Sequence, residues 1–145
     1  SVASSADGTK LAAVVQNGQI YTSTDSGQSW TARDSARNWV SIASSADGTK
    51  LVALEQTGYL YTSGDSGVTW TARDSARYWQ AAASSADGSR LVAVEYGGKI
   101  YTSTPATSLG VSGSIIGNKY DSLEIQYVGN NVFIVVGYGG SLTIQ

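Results

Sequence analysis

The chain has no cysteine and no histidine in its 145 residues. Disulfides, thiol nucleophiles, and zinc sites built from Cys or His are therefore excluded, as is any catalytic triad that needs an imidazole base. Charge is also scarce. Asp, Glu, Lys and Arg make up 14 % of the chain and leave a net charge of −2, where an average soluble protein carries about 25 % charged residues. There is no basic run, which argues against a nucleic-acid groove. No stretch approaches the ~18 consecutive apolar residues that a membrane-spanning helix needs. The opening SVASSADGTK lacks the charged-then-apolar pattern of a secretion signal. A chain already processed, or cut from a longer one, would begin this way.

Glycine, serine, threonine and alanine fill the space that charge leaves. Seventeen Gly, nine Tyr and four Trp describe a turn-rich β protein rather than a disordered chain, which would carry high net charge and few aromatics. A length of 145 residues normally makes one domain, and a single repeat domain over 1–145 is expected.

The chain repeats itself with a period of forty. SSADGTKL begins at Ser4 and at Ser44, and SSADGSRL at Ser84. WTARDSARNW from Trp30 returns as WTARDSARYW from Trp70. The segment from Ser122 aligns with that from Ser41 as a fourth, eroded copy. The units are 1–39, 40–79, 80–120 and a partial 121–145. Within the second unit, 40–44, 50–56, 59–63 and 69–73 read as short strands separated by Ala-Asp-Gly, Thr-Gly and Asp-Ser-Gly turns. Four short strands per ~40 residues is the spacing of a propeller blade. The expected fold is all-β: a β-propeller-type array of four-stranded antiparallel blades, three and a half to four per chain.

Two stretches, STDSGQSW (23–30) and SGDSGVTW (63–70), share Ser-x-Asp-x-Gly-x-x-Trp. This pattern resembles the Asp-box, or BNR, repeat of β-propellers, a family that includes sialidases, sortilin-type receptors and photosystem assembly factors. The resemblance places the box between the third and fourth strands of a blade. Asp25 and Asp65 are then expected to accept bonds from their own turn, with Ser23 and Ser63 closing the network. Gly27 and Gly67 supply a left-handed residue. Trp30 and Trp70 bury a ring against the neighbouring blade. One carboxylate per turn is too few for a calcium loop, so neither metal nor cofactor is expected. In the third unit the Asp, Gly and Trp slots hold Pro105, Thr107 and Gly110.

Alternate connections of a propeller lie on opposite faces. One face collects the Asp-boxes and the SSADGTK turns. The other collects the second-to-third turns and the links RDSARNW (33–39) and RDSARYW (73–79). That link face offers Arg37, Arg77, Trp39, Trp79, Tyr78, Tyr96, Tyr138 and Gln56 as ligand-binding candidates, with Arg33, Arg73, Glu55 and Glu95 nearby. Aromatic area with polar tips suits a sugar or a peptide. The plainer reading puts the Trp pair in the core between blades. It pairs Arg33 with Asp34, and Arg73 with Asp74, as surface ions.

Sialidase chemistry needs unlike residues converging from about six blades. Here four of the five arginines are copies of one motif, so no enzyme is expected. The expected function is a non-catalytic module binding a glycan or protein surface, outside the cell or at its surface. The alternative is a self-assembling structural protein, a homo-oligomeric ring or filament, because the array must close or cover its edges. A sialidase-like glycosidase fragment is the remote third reading.

Overall fold

The computed structural model describes residues 1–103 throughout. Beyond them it describes only the backbone of strands 115–116, 122–129, 132–139 and 143–144. The chain divides into two compact units, Ser1–Pro105 and Ala106–Gln145. Every described element is a strand, and every pairing is antiparallel.

In the first unit β1 (Val2–Ser4), β2 (Leu11–Val14), β3 (Gln16–Ser23), β4 (Thr31–Ser44), β5 (Leu51–Glu55), β6 (Leu60–Ser63) and β7 (Thr71–Arg73) pair in simple chain order. β4 is long because it belongs to two repeats. Its start pairs with β3, Thr22 opposite Thr31, and its end pairs with β5, Ser44 opposite Leu51. The link 33–39, read as a loop, is therefore strand in the first copy, broken by register shifts opposite Gln16–Ile20. The third repeat supplies β8 (Trp79–Ser84), β9 (Leu91–Glu95) and β10 (Ile100–Thr102), ordered β10-β9-β8.

Apolar residues at alternate strand positions face the next repeat. One core cluster joins repeats one and two through Ala12, Val14, Ile20, Trp39, Ile42, Leu51, Ala53 and Tyr61. A second joins repeats two and three through Val52, Leu54, Trp79 and Ala93, with Leu60, Ala82, Leu91 and Tyr101 packed on it. Each of these second-cluster residues is a first-cluster residue moved on by forty. The same interface is built twice.

A ladder fastens one rim of the stack. Ala6 N–H donates to Ala46 C=O and Ala46 N–H to Ala86 C=O, both at 2.7 Å. Lys10 Nζ reaches Asp47 C=O at 3.0 Å, and Lys50 Nζ reaches Asp87 C=O at 2.8 Å. Within each turn the Ser5 hydroxyl donates to Asp7 Oδ1 at 2.6 Å, repeated by Ser45–Asp47 and Ser85–Asp87. Gly48 must be glycine here. Its φ is +69°, and a Cβ would stand 2.8 Å from Lys10 Cβ and 3.1 Å from Ser5 Cβ. Gly48→Ala is expected to cost about 2 kcal/mol from the left-handed backbone and the crowding together. Gly64→Ala, with no positive φ and open space around it, is the neutral control in urea denaturation.

In the second unit β11 (Ile115–Ile116) pairs with β14 (Thr143–Ile144), and β12 (Ser122–Gly129) with β13 (Val132–Gly139). The aligned fourth copy does not keep the repeat register. Ser41 stands opposite Leu54, so a faithful copy would set Ser122 opposite Val135. Instead Ser122 opposes Gly139, and Gly129 opposes Val132.

Candidate functional site

The two boxes fold alike. Asp25 Oδ1 accepts from Ser23 Oγ at 2.7 Å and from Ser29 N–H at 2.9 Å, while Ser29 Oγ donates to Asp25 Oδ2. Asp65 repeats this with Ser63 and Thr69. Gly27 and Gly67 take φ near +85°, and the preceding Ser26 and Ser66 are left-handed too. These bonds, the Ser29 hydroxyl first for Asp25 and the Thr69 hydroxyl first for Asp65, hold both carboxyls down to about 2. Each carboxylate uses its lone pairs within its own turn. Among the described residues no cluster of His, Cys, Asp and Glu could hold a metal ion.

The box indoles differ from each other, and only Trp30 departs from the expected packing. Trp70 is half-buried, packs on the first core cluster, and donates its N–H to Gly67 C=O at 3.0 Å. Trp30 is 44 % exposed. The cause is position: the box ring leans back on the preceding repeat, and no repeat precedes the first in this structure.

On the link face the arginine, not the tryptophan, is the accessible group. Trp39 is 1 % exposed and Trp79 0 %, so neither ring offers a face to a ligand. That corrects their place among the binding candidates. They wedge adjacent repeats. Trp39 meets Tyr61 edge to face at 5.1 Å, and Trp79 meets Tyr101 at 5.2 Å. A guanidinium lies over each pair. Arg37 Cζ stands 4.8 Å from the Tyr61 centroid and 5.8 Å from Trp39, and Arg77 Cζ stands 4.4 Å from Tyr101 and 5.8 Å from Trp79.

Each arginine also sits between two carboxylates. Arg37 is 3.7 Å from Asp34 and 3.9 Å from Glu55; Arg77 is 3.3 Å from Asp74 and 3.8 Å from Glu95. The expected Arg33–Asp34 and Arg73–Asp74 ion pairs are not formed. Asp34 and Asp74 turn through φ of +52° and +57°, which brings each to the arginine three residues on. Arg33 and Arg73 instead donate through Nε to Thr22 and Thr62. Arg77 holds the Asp74 carboxyl below its ordinary range. Burial pushes the Tyr61 hydroxyl up, and the bond to Glu95 does the same for Tyr101, so both phenols stay neutral near pH 7.

In the first link Asp34 Oδ2 and Arg37 Nε face each other at 3.7 Å as an ion pair without a hydrogen bond, and Asn38 Oδ1 is buried with no hydrogen-bond partner among the described residues. Asn38 meanwhile donates its amide to Gln56 Oε1 at 2.8 Å. Backbone bonds join the links to the turns beside them: Gln56 N–H to Asn38 C=O, Arg77 N–H to Gly58 C=O, and Tyr96 N–H to Tyr78 C=O. Exposed rings stand along this chain of contacts. Tyr78 and Tyr96, the latter 73 % exposed, meet at 5.6 Å. Tyr59, exposed as well, is absent from the sequence candidates although the repeated hairpin position could have flagged it. Tyr138 stands on β13 opposite Leu123, but its side chain lies outside the described residues.

No family model matches the chain, and no curated protein matches it. Solved structures do. One, YCF48 bound to D1 peptide, aligns with a TM-score of 0.58 at 15 % identity over 70 % of this chain and 34 % of that one. The GH74 enzyme of Niastella koreensis aligns with a TM-score of 0.56 at 26 % identity over 72 % of this chain and 16 % of that one. Both are β-propeller proteins. The fold is that of a β-propeller. The propeller chain spans about a third of the first structure and a sixth of the second.

Proposed function

We propose that this chain is a non-catalytic binding module that takes an extended peptide across its link face. The observation that carries the reading is the pair Arg37 and Arg77, set in one pose by two copies of the same link, each on two aromatic rings and flanked by exposed tyrosines. Carboxylates held in place by arginine, and phenols kept neutral, serve recognition better than proton transfer. Arg37 and Arg77 each stand between two carboxylates, one from the link and one from the neighbouring strand, so the immediate setting of each guanidinium favours neutral or basic segments. The similar YCF48 structure has D1 peptide bound, which supports the same ligand class.

Selection from a displayed library of twelve-residue random peptides tests this. Basic and aromatic sequences should be enriched, and the double substitution Tyr78→Ala, Tyr96→Ala should weaken the selected binders at least tenfold. Enrichment of acidic peptides, or a glycan array that binds while peptides do not, would refute it.

A second reading, self-assembly, is favoured by one observation. Ile100 is 74 % exposed and Val92 is exposed, although their counterparts Leu60 and Val52 are packed under the next repeat. Under this reading the four-stranded units complete a closed ring only with another copy. A monomeric mass by sedimentation at high protein concentration would eliminate it.

A further inference from the structure

The two repeat interfaces differ at one place. Between repeats one and two, the box of repeat two closes the outer part of the joint. Trp70 packs on the cluster of Ile20, Leu51, Ala53 and Tyr61. Gly67 comes so near that a Cβ on it would stand 2.7 Å from Thr22 and 3.2 Å from Leu51. Between repeats two and three that indole is missing, because the Trp slot holds Gly110 and the Asp and Gly slots hold Pro105 and Thr107. What remains is a cleft of about 360 Å³, lined by Leu60, Thr62, Trp79, Leu91, Ala93 and Tyr101. Those six are the counterparts, forty residues on, of Ile20, Thr22, Trp39, Leu51, Ala53 and Tyr61.

The geometry points to a ligand site in this cleft, one that takes a flat aromatic ring of indole size. The wall that the chain covers with its own tryptophan in one interface has no such ring over it among the described residues in the other. The volume falls within the roughly 300–1,000 Å³ of small-ligand pockets, and the lining is mainly apolar with a few polar groups. One of those groups is unsatisfied. Trp39 donates its N–H to Ser35 C=O at 3.4 Å, but the Trp79 N–H is buried with no partner among the described residues. That N–H is sealed beneath the wall, so it reports on the cleft without touching its occupant. Arg73 and Asp74 also line the cleft and add polar contacts for substituents. The site is independent of the link-face reading, since it rests on the interface between repeats and not on the exposed tyrosines.

The test is a titration of the full, isotope-labelled chain with free indole, followed by NMR. The Trp79 indole N–H and the Leu91 and Ala93 methyl signals should shift saturably, while Trp39, Leu51 and Ala53 stay still. Ala93→Phe, which fills the cleft from β9, should weaken the interaction at least tenfold. Thr62→Phe fills it from β6 and serves if the first variant does not fold. A parallel titration with N-acetyltryptophanamide distinguishes sources: equal binding marks a ring borne on a peptide, and binding of indole alone marks a small molecule. No saturable shift, equal shifts at both interfaces, or undiminished binding by a folded filled variant overturns the site.

Discussion

Trp39→Ala is expected to unfold most of this protein at room temperature in modest urea. The ring is almost wholly buried, meets Tyr61 edge to face, and carries Arg37 above it. Truncating a buried Trp to Ala typically costs about 3–5 kcal/mol, as lost transfer energy plus the cavity left behind. Single domains have a total stability of only about 5–15 kcal/mol. The damage also spreads, because Trp39 joins two repeats and repeat stability is largely interface stability. Trp79→Ala should cost less, although that ring is equally buried. Its interface already has an open cleft beside it, so the surroundings can close over the gap more easily, and its N–H has no bond to lose. Equilibrium urea denaturation of both variants reads this directly. A loss under about 1 kcal/mol in each would mean that the indoles are not the wedges between repeats.

Acid should destabilise the protein steeply below pH 4. Asp7, Asp25 and Asp65 are held down to about 2, and Asp47 and Asp87 lower still. The largest cause in each case is a serine or threonine hydroxyl donating to the carboxylate, followed by a backbone amide. The sign follows from linkage. A carboxyl whose folded value lies below its unfolded value of 3.8 contributes fully above about pH 4, and that contribution is lost as pH falls through about 2. Five such turns titrate in the same window, so the melting temperature should be flat from pH 7 to 5 and fall sharply between 4 and 2. The hydrogen bonds are local and mostly uncharged on the donor side. Raising the salt should therefore leave the profile in place, whereas an origin in exposed ion pairs would be screened. Asp65→Asn should flatten part of the fall. A profile that moves markedly with salt, or one unchanged in Asp65→Asn, would count against turn carboxylates as its source.

The local features were legible in the sequence because they depend on neighbours along the chain. The period of forty gave the order of strands, and Ser-x-Asp-x-Gly marked a turn whose bonds span at most four residues. The Arg33–Asp34 pairing was read wrongly for a local reason too: a left-handed φ at the aspartate is not visible in a residue name, and it redirects the carboxylate to Arg37. In the fourth copy, similarity of letters does not carry the pairing register of β5 with it.

What the sequence alone determined is the repeating unit: its β content, its turns, and the residues that alternate inward. What only the tertiary structure decided is which copies of a residue are covered. Trp30 and Trp70 share one motif, and Val52 and Val92 one strand position, yet each pair divides between exposed and packed. Burial in a stack is a property of the neighbouring repeat rather than of the residue, so identical stretches acquire different roles according to what stands beside them.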